Sequence, residues 1–198
     1  MASLTYDEGP FGLSWILGES LTRTSHALTG DDGRVWLVDP VDEPEAMARA
    51  AALGEPAAVV QLLDRHNRDC AAVAARLGVA HVRAWKQDVG APFETIGVVD
   101  WPKWKEAALW WPERSTLVVA ETVGTNPVWA AGPCEAGVHP MLRMIAPGAL
   151  RGRTPEHLLV GHGPGVHGPG TAATLEEALS RSRRDIPRAL IKLPKLRP

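Results

Sequence analysis

Short apolar runs alternate with alanine-rich segments along this chain, and glycine, proline and acidic residues separate them. Apolar runs of about 4–8 residues between turn signals are typical of strands, whereas alanine-rich stretches with capping residues predict helices. Strands come first and helices later, and the same order then repeats. This alternation predicts layers of helix and sheet, so we expect an α/β fold.

The N-terminal half predicts an antiparallel meander followed by alternating helices and strands. The turn Gly30-Asp31-Asp32-Gly33 reverses the chain before the run RVWLVD, and Gly54 and Gly78 follow the two helical segments. Glycine is favoured directly after a helix because it adopts positive φ without steric cost. The predicted strands are 13–17, 25–29, 34–39 and 57–63, and the predicted helices are 42–53 and 71–77.

The C-terminal half predicts a second set of strands and a closing helix. Thr174 and Glu177 have the spacing of a capping box within that helix. Alternation along a strand places Trp110 and Trp111 on opposite faces, so we expect only one of them in the core. The predicted strands are 79–85, 95–99, 107–111, 116–121 and 157–161, and the predicted helices are 138–145 and 171–184.

Composition narrows the class of protein. The 198 residues are 45% hydrophobic and carry a formal net charge of −2, which suits one domain over 1–198 with a basic, proline-broken tail at 185–198. The charge does not favour nucleic acid as a partner. No apolar run approaches the roughly 20 residues of a membrane span, the two cysteines do not suggest a disulfide scaffold, and the N-terminus lacks a secretory pattern. We therefore expect a cytoplasmic protein with no membrane partner.

The polar turn DRHNRDC, residues 64–70, follows a buried strand and precedes a helix, which is where α/β folds place their chemistry. His66 could act there as a general base, or it could be a surface or supporting histidine. Cys70 could be a nucleophile or simply a buried cysteine. His162, in the sequence VGHGPG, is poorly explained by packing alone, so it is a candidate for either a functional or a hydrogen-bonded structural role.

Four short blocks in order, LVD, DRHNRDC, PERSTLVVAE and GHGPG, resemble the metallo-β-lactamase superfamily over residues 13–170. The resemblance implies an αββα four-layer sandwich with metal ions, commonly zinc, at the edge between its two sheets. It also implies hydrolysis of an ester, amide, thioester or phosphoester bond.

The family's ligand positions for its two metals differ in what they carry over to this sequence. The positions of the first metal fall on Arg65, Asn67 and Pro102, which are not zinc ligands, so the resemblance implies that the first site is lost. The positions of the second metal fall on four residues that can all ligate Zn²⁺. These implied ligands are Asp69, Cys70, Glu121 and His162.

Two classes of function follow. In the first, the chain is a hydrolase of a small-molecule substrate with at most one metal ion, and the Arg65 guanidinium orients an anionic group or steadies negative charge. In the second, it is a non-catalytic binding module without metal, in which Arg65 pairs with Asp69 or Glu121. Five tryptophans between Trp101 and Trp129 could line a pocket, fill the core or contact a partner, which leaves a homodimer open.

Overall fold

The computed structural model describes residues 3–18, 21–66 and 68–192 and contains two main β-sheets. The strands of the first sheet are β1 (Ser3–Gly9), β2 (Gly12–Gly18), β3 (Arg23–Thr29), β4 (Arg34–Val38), β5 (Glu55–Gln61) and β6 (Ala80–Arg83). The strands of the second sheet are β7 (Glu94–Trp101), β8 (Trp104–Trp111), β9 (Thr116–Val119), β12 (His157–Val160) and β13 (Val166–His167). A short separate pair is formed by β10 (Val123–Gly124) and β11 (Gly137–Val138).

Two helices cover the outer face of the first sheet. Helix α1 (Pro44–Ala51) begins where the Glu43 carboxylate accepts the Ala46 amide, and proline at its first position needs no hydrogen-bond partner there. Helix α2 (Cys70–Leu77) ends at Gly78, whose positive φ of 67° suits glycine. The buried faces of both helices pack with Leu13, Trp15 and Leu37 in one apolar cluster.

The two sheets face one another across the main core. Leu28 and Val60 of the first sheet share an apolar cluster with Leu109 and Leu158 of the second. Helix α3 (Thr171–Arg181) packs against β11 and β12 and contributes Leu175 to the same cluster. The order helix, sheet, sheet, helix confirms the predicted α/β sandwich.

Four differences from the sequence-based expectations concern strand β1, the segment that contains β11, the start of helix α3 and the C-terminal tail. The edge strand β1 was not predicted. The helix predicted over 138–145 was wrong: Val138 pairs with Val123 in β11, and only Pro140–Leu142 turn as a 3₁₀ helix. Thr174 lies inside α3 rather than at its N-cap, which is Gly170, so the predicted capping box is not formed.

The fourth difference lies in the predicted tail. Residues Ile186–Lys192 form a helix, α4, and the side chain of Ala189 is buried. This part of the tail is therefore ordered secondary structure rather than a loose extension. The last six residues, 193–198, lie outside the described residues.

Residues 62–64, directly after β5, hydrogen-bond to β8 of the second sheet. Leu62 accepts a hydrogen bond from the Ala107 amide, Asp64 donates its amide to Lys105, and Leu63 bridges to Glu106 in β8. This anchoring fixes the start of the polar turn that follows β5.

None of the helices in residues 3–18, 21–66 and 68–192 combines the length and the hydropathy that crossing a bilayer requires.

Candidate metal centre

Polar side chains follow four parallel strands at one rim of the sandwich. Strands β4 and β5 pair in parallel in the first sheet, and β9 and β12 pair in parallel in the second. Asp39 follows β4, His66 lies in the turn after β5, Glu121 follows β9 and His162 follows β12. Because parallel strands end at the same edge of a sheet, Asp39 and His66 share one rim of the first sheet, and Glu121 and His162 share one rim of the second. The four side chains lie together where these two rims face each other.

His66, Glu121 and His162 form a compact cluster, and one ligand atom from each lies within 4.8 Å of the others. Glu121 Oε1 is 3.7 Å from His66 Nε2 and 3.8 Å from His162 Nε2. Both Nε2 atoms are buried and have no hydrogen-bond partner. Buried polar atoms are nearly always partnered, so two orphaned nitrogens facing one carboxylate oxygen suggest that a ligand belongs between them.

The other nitrogen of each histidine is held by an oxygen. His66 Nδ1 lies 3.0 Å from Asp39 Oδ2, and His162 Nδ1 lies 2.9 Å from the Thr22 carbonyl. A carboxylate and a carbonyl can only accept, so the proton of each neutral ring sits on Nδ1 and the lone pair of Nε2 points toward Glu121. This arrangement is the usual one for histidines that bind a metal through Nε2.

The donor set fits a divalent ion such as zinc. Two atoms that each lie about 2.0–2.2 Å from a shared zinc ion are no more than about 4.4 Å apart, and the two Glu121 distances meet that limit. Imidazole and carboxylate are normal zinc ligands. Three protein ligands are typical of zinc sites that leave a position open for substrate.

The electrostatics keep His66 and Glu121 in the protonation states that a metal needs. Burial and the positive charge of Arg68 lower the pKa of His66, although Asp39 opposes this shift. Burial acts to raise the pKa of Glu121, but the surrounding histidines and Arg65 lower it to about 2. At neutral pH the cluster therefore presents a neutral His66 beside an ionised Glu121.

Asp39 supports the site by holding the ring of His66. Its Oδ1 accepts the Leu62 amide, its Oδ2 faces His66, and its backbone has a positive φ of 44°, which is uncommon for a residue with a side chain. Burial acts to raise its pKa, but His66 and Arg68 lower it, so Asp39 stays charged. The strained backbone aims a carboxylate at the ring of His66.

Glu106 and Trp129 hold Glu121 in place. Glu106 is buried in β8, and its Oε1 accepts the amides of Ala120, Glu121 and Thr122 at 2.9–3.2 Å. The Trp129 indole donates to the Glu121 carbonyl at 2.7 Å, and its ring stacks on His162 with centroids 4.6 Å apart. The backbone that presents the Glu121 carboxylate is therefore fixed on both sides.

Arg65 closes one side of the cluster. Its Nη2 donates to Glu121 Oε2 at 2.7 Å, and its guanidinium lies 4.1 Å from the centre of the Trp104 ring. The two oxygens of Glu121 are thus divided, one facing the histidines and one facing Arg65. The arginine side chain remains 40% exposed, which leaves donors available to an anionic group.

Of the four ligands implied by resemblance, the structure brings together only Glu121 and His162. Asp69 precedes α2, is exposed, and accepts the Asp42 amide at 2.8 Å. Cys70 is the first residue of α2, its side chain is buried, and its Sγ lies 4.0 Å from Asp39 Oδ1. Burial raises the pKa of the Cys70 thiol, which disfavours the thiolate that zinc binding or nucleophilic attack requires.

His66 takes the place that the sequence argument gave to Asp69 and Cys70. The sequence predicted a general base or a supporting role for His66, but its Nε2 belongs to the cluster. Pro102 lies in the turn between β7 and β8, and Asn67 lies outside the described residues. Trp111 is buried and Trp110 is half-buried, as alternation predicted.

Three residues that support the site were missed by the sequence argument: Asp39, Glu106 and His139. Asp39 is the acid that ends the run LVD, so its position at a strand end was a usable signal. Glu106 is the one acid inside the apolar run WKEAALWW, where a buried charge needs partners. His139 was missed because it falls within the helix that was incorrectly predicted over 138–145.

Comparison with solved structures identifies the fold. The chain is similar to the metallo-β-lactamase FIM-1 from Pseudomonas aeruginosa in its mono-zinc form, with a TM-score of 0.56, 9% identity, and 95% of this chain and 96% of that chain covered. It is similar to DIM-1 metallo-β-lactamase, with a TM-score of 0.56, 12% identity, and coverage of 96% and 98%. A metallo-β-lactamase from Erythrobacter litoralis gives 0.54, 9%, and coverage of 93% and 92%.

The chain therefore has the metallo-β-lactamase fold. No model of a protein family matches the sequence, and no curated protein sequence matches it. At identities of 9–12%, the likeness in structure defines the fold and leaves the chemistry to be argued from the site itself.

Proposed function

We propose that the chain is a hydrolase of a small-molecule substrate that uses one divalent metal ion, with zinc as the first candidate. His66, Glu121 and His162 would hold the ion. The observation that carries this proposal is the pair of buried, unpartnered Nε2 atoms that face one oxygen of Glu121. The mono-zinc form of FIM-1 is a structural neighbour that is consistent with a single ion.

When bound, such an ion supplies Lewis acidity, which polarises a carbonyl or phosphoryl group and lowers the pKa of water. The residues of this chain do the rest. Asp39 and the Thr22 carbonyl keep the proton of each histidine on Nδ1, and Glu106 holds the backbone of Glu121. Arg65, fixed against Trp104, offers its remaining donors to the negative charge of a substrate.

A non-catalytic binding module is the second candidate, and one observation favours it. The Arg65–Glu121 ion pair, at 2.7 Å, already neutralises the carboxylate without a metal. In that case the two Nε2 atoms would be unpaired acceptors whose cost in free energy, about 1–3 kcal/mol each, the fold tolerates.

Metal content per chain, measured by mass spectrometry after purification with and without added Zn²⁺, separates the two candidates. We expect about one ion per chain in the wild type, and its loss in Glu121→Gln, because an amide is a poor zinc ligand. Asp69→Asn is the matched control: its carboxylate lies outside the cluster, so the ion should be retained. Circular dichroism of each variant checks that it is folded.

The outcomes assign the site. Loss of the ion in Asp69→Asn, with Glu121→Gln unaffected, would contradict the cluster as the metal centre. A wild-type chain that takes up no zinc would favour the binding module. If zinc is bound, esters, thioesters and phosphodiesters are the substrate classes to screen.

A further inference from the structure

His139 stands beside the cluster without being part of it. It follows β11 and begins the short 3₁₀ turn Pro140–Leu142. Its half-buried ring lies edge-on to Trp104 and to Trp129, with centroid distances of 4.7 and 5.2 Å. These are the same two tryptophans that support Arg65 and His162, so the ring is held rigidly at the wall of the site.

The hydrogen bond of His139 sets its proton on the opposite nitrogen from the other two histidines. Its Nδ1 accepts the Met141 amide at 3.2 Å, and a nitrogen that accepts carries no proton. The proton of the neutral ring therefore sits on Nε2. His66 and His162 carry theirs on Nδ1, so those two rings offer a lone pair where His139 offers an N–H donor.

Burial lowers the pKa of His139 to about 4, so its ring is neutral at neutral pH. The charged and titratable groups that act on the ring are Glu121, Arg65, His162 and Arg143. Arg143 is itself buried and donates to the Trp129 carbonyl at 2.6 Å. No hydrogen bond from Nε2 to another described residue is present. A rigid, neutral N–H donor with a free position beside a hydrolytic centre has the properties required to stabilise negative charge that develops on a substrate oxygen.

We infer that His139 is a catalytic residue: its Nε2–H donates a hydrogen bond to the carbonyl or phosphoryl oxygen of the substrate. This inference rests on the proposed function, since it concerns the same reaction. The proton stays on Nε2 throughout, and no bond to the imidazole forms or breaks. The hydrogen bond strengthens as the substrate oxygen gains charge, so it favours the transition state over the bound substrate.

The first test needs no turnover. Long-range ¹H–¹⁵N NMR spectra of the zinc-treated protein distinguish protonated from bare ring nitrogens. We expect a protonated Nε2 and a bare Nδ1 for His139, and a shift of the Nε2 resonance on titration with acetate or inorganic phosphate at constant ionic strength. A response to acetate alone indicates carbonyl substrates, and a response to phosphate alone indicates phosphoesters. A proton on Nδ1, or no response to either anion, would overturn the inference.

The second test uses matched variants and a p-nitrophenyl ester or phosphodiester. His139→Phe keeps an aromatic ring between the tryptophans but has no donor, so we expect kcat to fall about 100-fold. His139→Gln, whose amide places an N–H near the position of Nε2, should recover part of this loss. His157→Gln is the control, because His157 begins β12 at the end remote from His162.

Metal content is measured on the same samples, which separates the two claims. Wild-type zinc content with lost activity in His139→Phe supports the donor role, whereas wild-type kcat/KM in that variant overturns it. If the zinc-loaded wild type hydrolyses none of these substrates, hydrolysis as the proposed function fails, and the NMR titration alone decides whether Nε2 binds an oxyanion.

Discussion

At the scale of single residues, the site depends on which nitrogen of each histidine carries the proton. The Asp39 carboxylate and the Thr22 carbonyl leave the Nε2 lone pairs of two histidines facing Glu121. The Met141 amide leaves the proton of the third histidine, His139, on Nε2. The partners of His66 and His162 come from distant parts of the chain, whereas the partner of His139 lies only two residues further on. Histidine in the sequence therefore indicated candidate chemistry, while its partners decided the role of each ring.

His26, which is not one of the three cluster residues, gives a pH dependence of folding stability. Burial and the charge of Arg68 lower its pKa to about 3, and Ser14 Oγ lies 2.8 Å from its Nδ1. The folded-state pKa lies below the unfolded value of 6.5, so the unfolded chain takes up the proton first as the pH falls. This contribution to stability is complete above pH 6.5 and is lost as the pH falls toward 3.

The corresponding measurement is urea unfolding of the wild type and His26→Asn at pH 7, 6 and 5. Asparagine keeps a polar atom near Ser14 but does not titrate. One such histidine changes the free energy of unfolding by up to about 1.4 kcal/mol per pH unit, so the difference between the two proteins should shrink by about 2 kcal/mol from pH 7 to pH 5. A constant difference would show that His26 is not the group involved.

At the scale of elements, the strand ends rather than the helices build the site. The strongest support is Glu106, which reaches from β8 to the backbone that follows β9 and also accepts the Trp104 indole at 3.1 Å. Burial raises its pKa to about 7, although the hydrogen bonds it accepts oppose that shift. Glu106, a buried acid in the middle of a strand, therefore orders the backbone around Glu121.

Replacing Glu106 should weaken both the fold and the proposed metal site. Glu106→Ala leaves three backbone amides and one indole N–H without an acceptor, so we expect the free energy of unfolding to fall by about 3 kcal/mol or more. Zinc content at limiting zinc should fall with it, because Glu121 loses its orientation. Urea unfolding and mass spectrometry measure the two effects.

The control for this change is Glu113→Ala, in the exposed turn after β8. An exposed surface substitution of this kind should alter stability by no more than about 0.5 kcal/mol. Equal effects of the two alanine variants would contradict the assigned role of Glu106.

At the scale of the whole molecule, Arg68 ties the two sheets together beneath the site. Its guanidinium donates to the carbonyls of Thr24 and Asp39 in the first sheet and, at 2.9 Å, to the Gly161 carbonyl in the second. The Thr24 amide also donates to Gly161. Arg68 therefore helps to fix the relative position of the two rims, and hence of His66 and His162.

Arg68→Gln should lower the free energy of unfolding by about 3 kcal/mol, because three carbonyls lose a charged donor and Asp39 loses a nearby positive charge. Arg76→Gln is the matched control: Arg76 pairs with Asp42 at the surface, where ion pairs contribute about 0–1 kcal/mol. Urea unfolding of the three proteins tests this difference. A loss in Arg68→Gln no larger than that in Arg76→Gln would show that the sheets do not depend on Arg68.

Much of the architecture was predictable because it depends on local patterns. The apolar runs and glycine stops located most strands and the first two helices, and four short blocks in order indicated the αββα fold. The helix over 138–145 failed because pairing of Val138 with Val123, 15 residues away, outweighed a local pattern. Edge strand β1 was missed because its residues alternate weakly between exposed and half-buried.

The sequence by itself determined the fold class and placed Glu121 and His162 at strand ends. Only the tertiary structure decided that His66, rather than Asp69 or Cys70, completes the cluster, because Asp69 is exposed and the side chain of Cys70 is buried within α2. Strand and helix patterns are properties of neighbouring residues, whereas a metal site is a meeting of side chains that are far apart along the chain. Which side chains meet there depends on backbone direction and on partners such as Asp39, and neither is encoded in the spacing of residues 64–70.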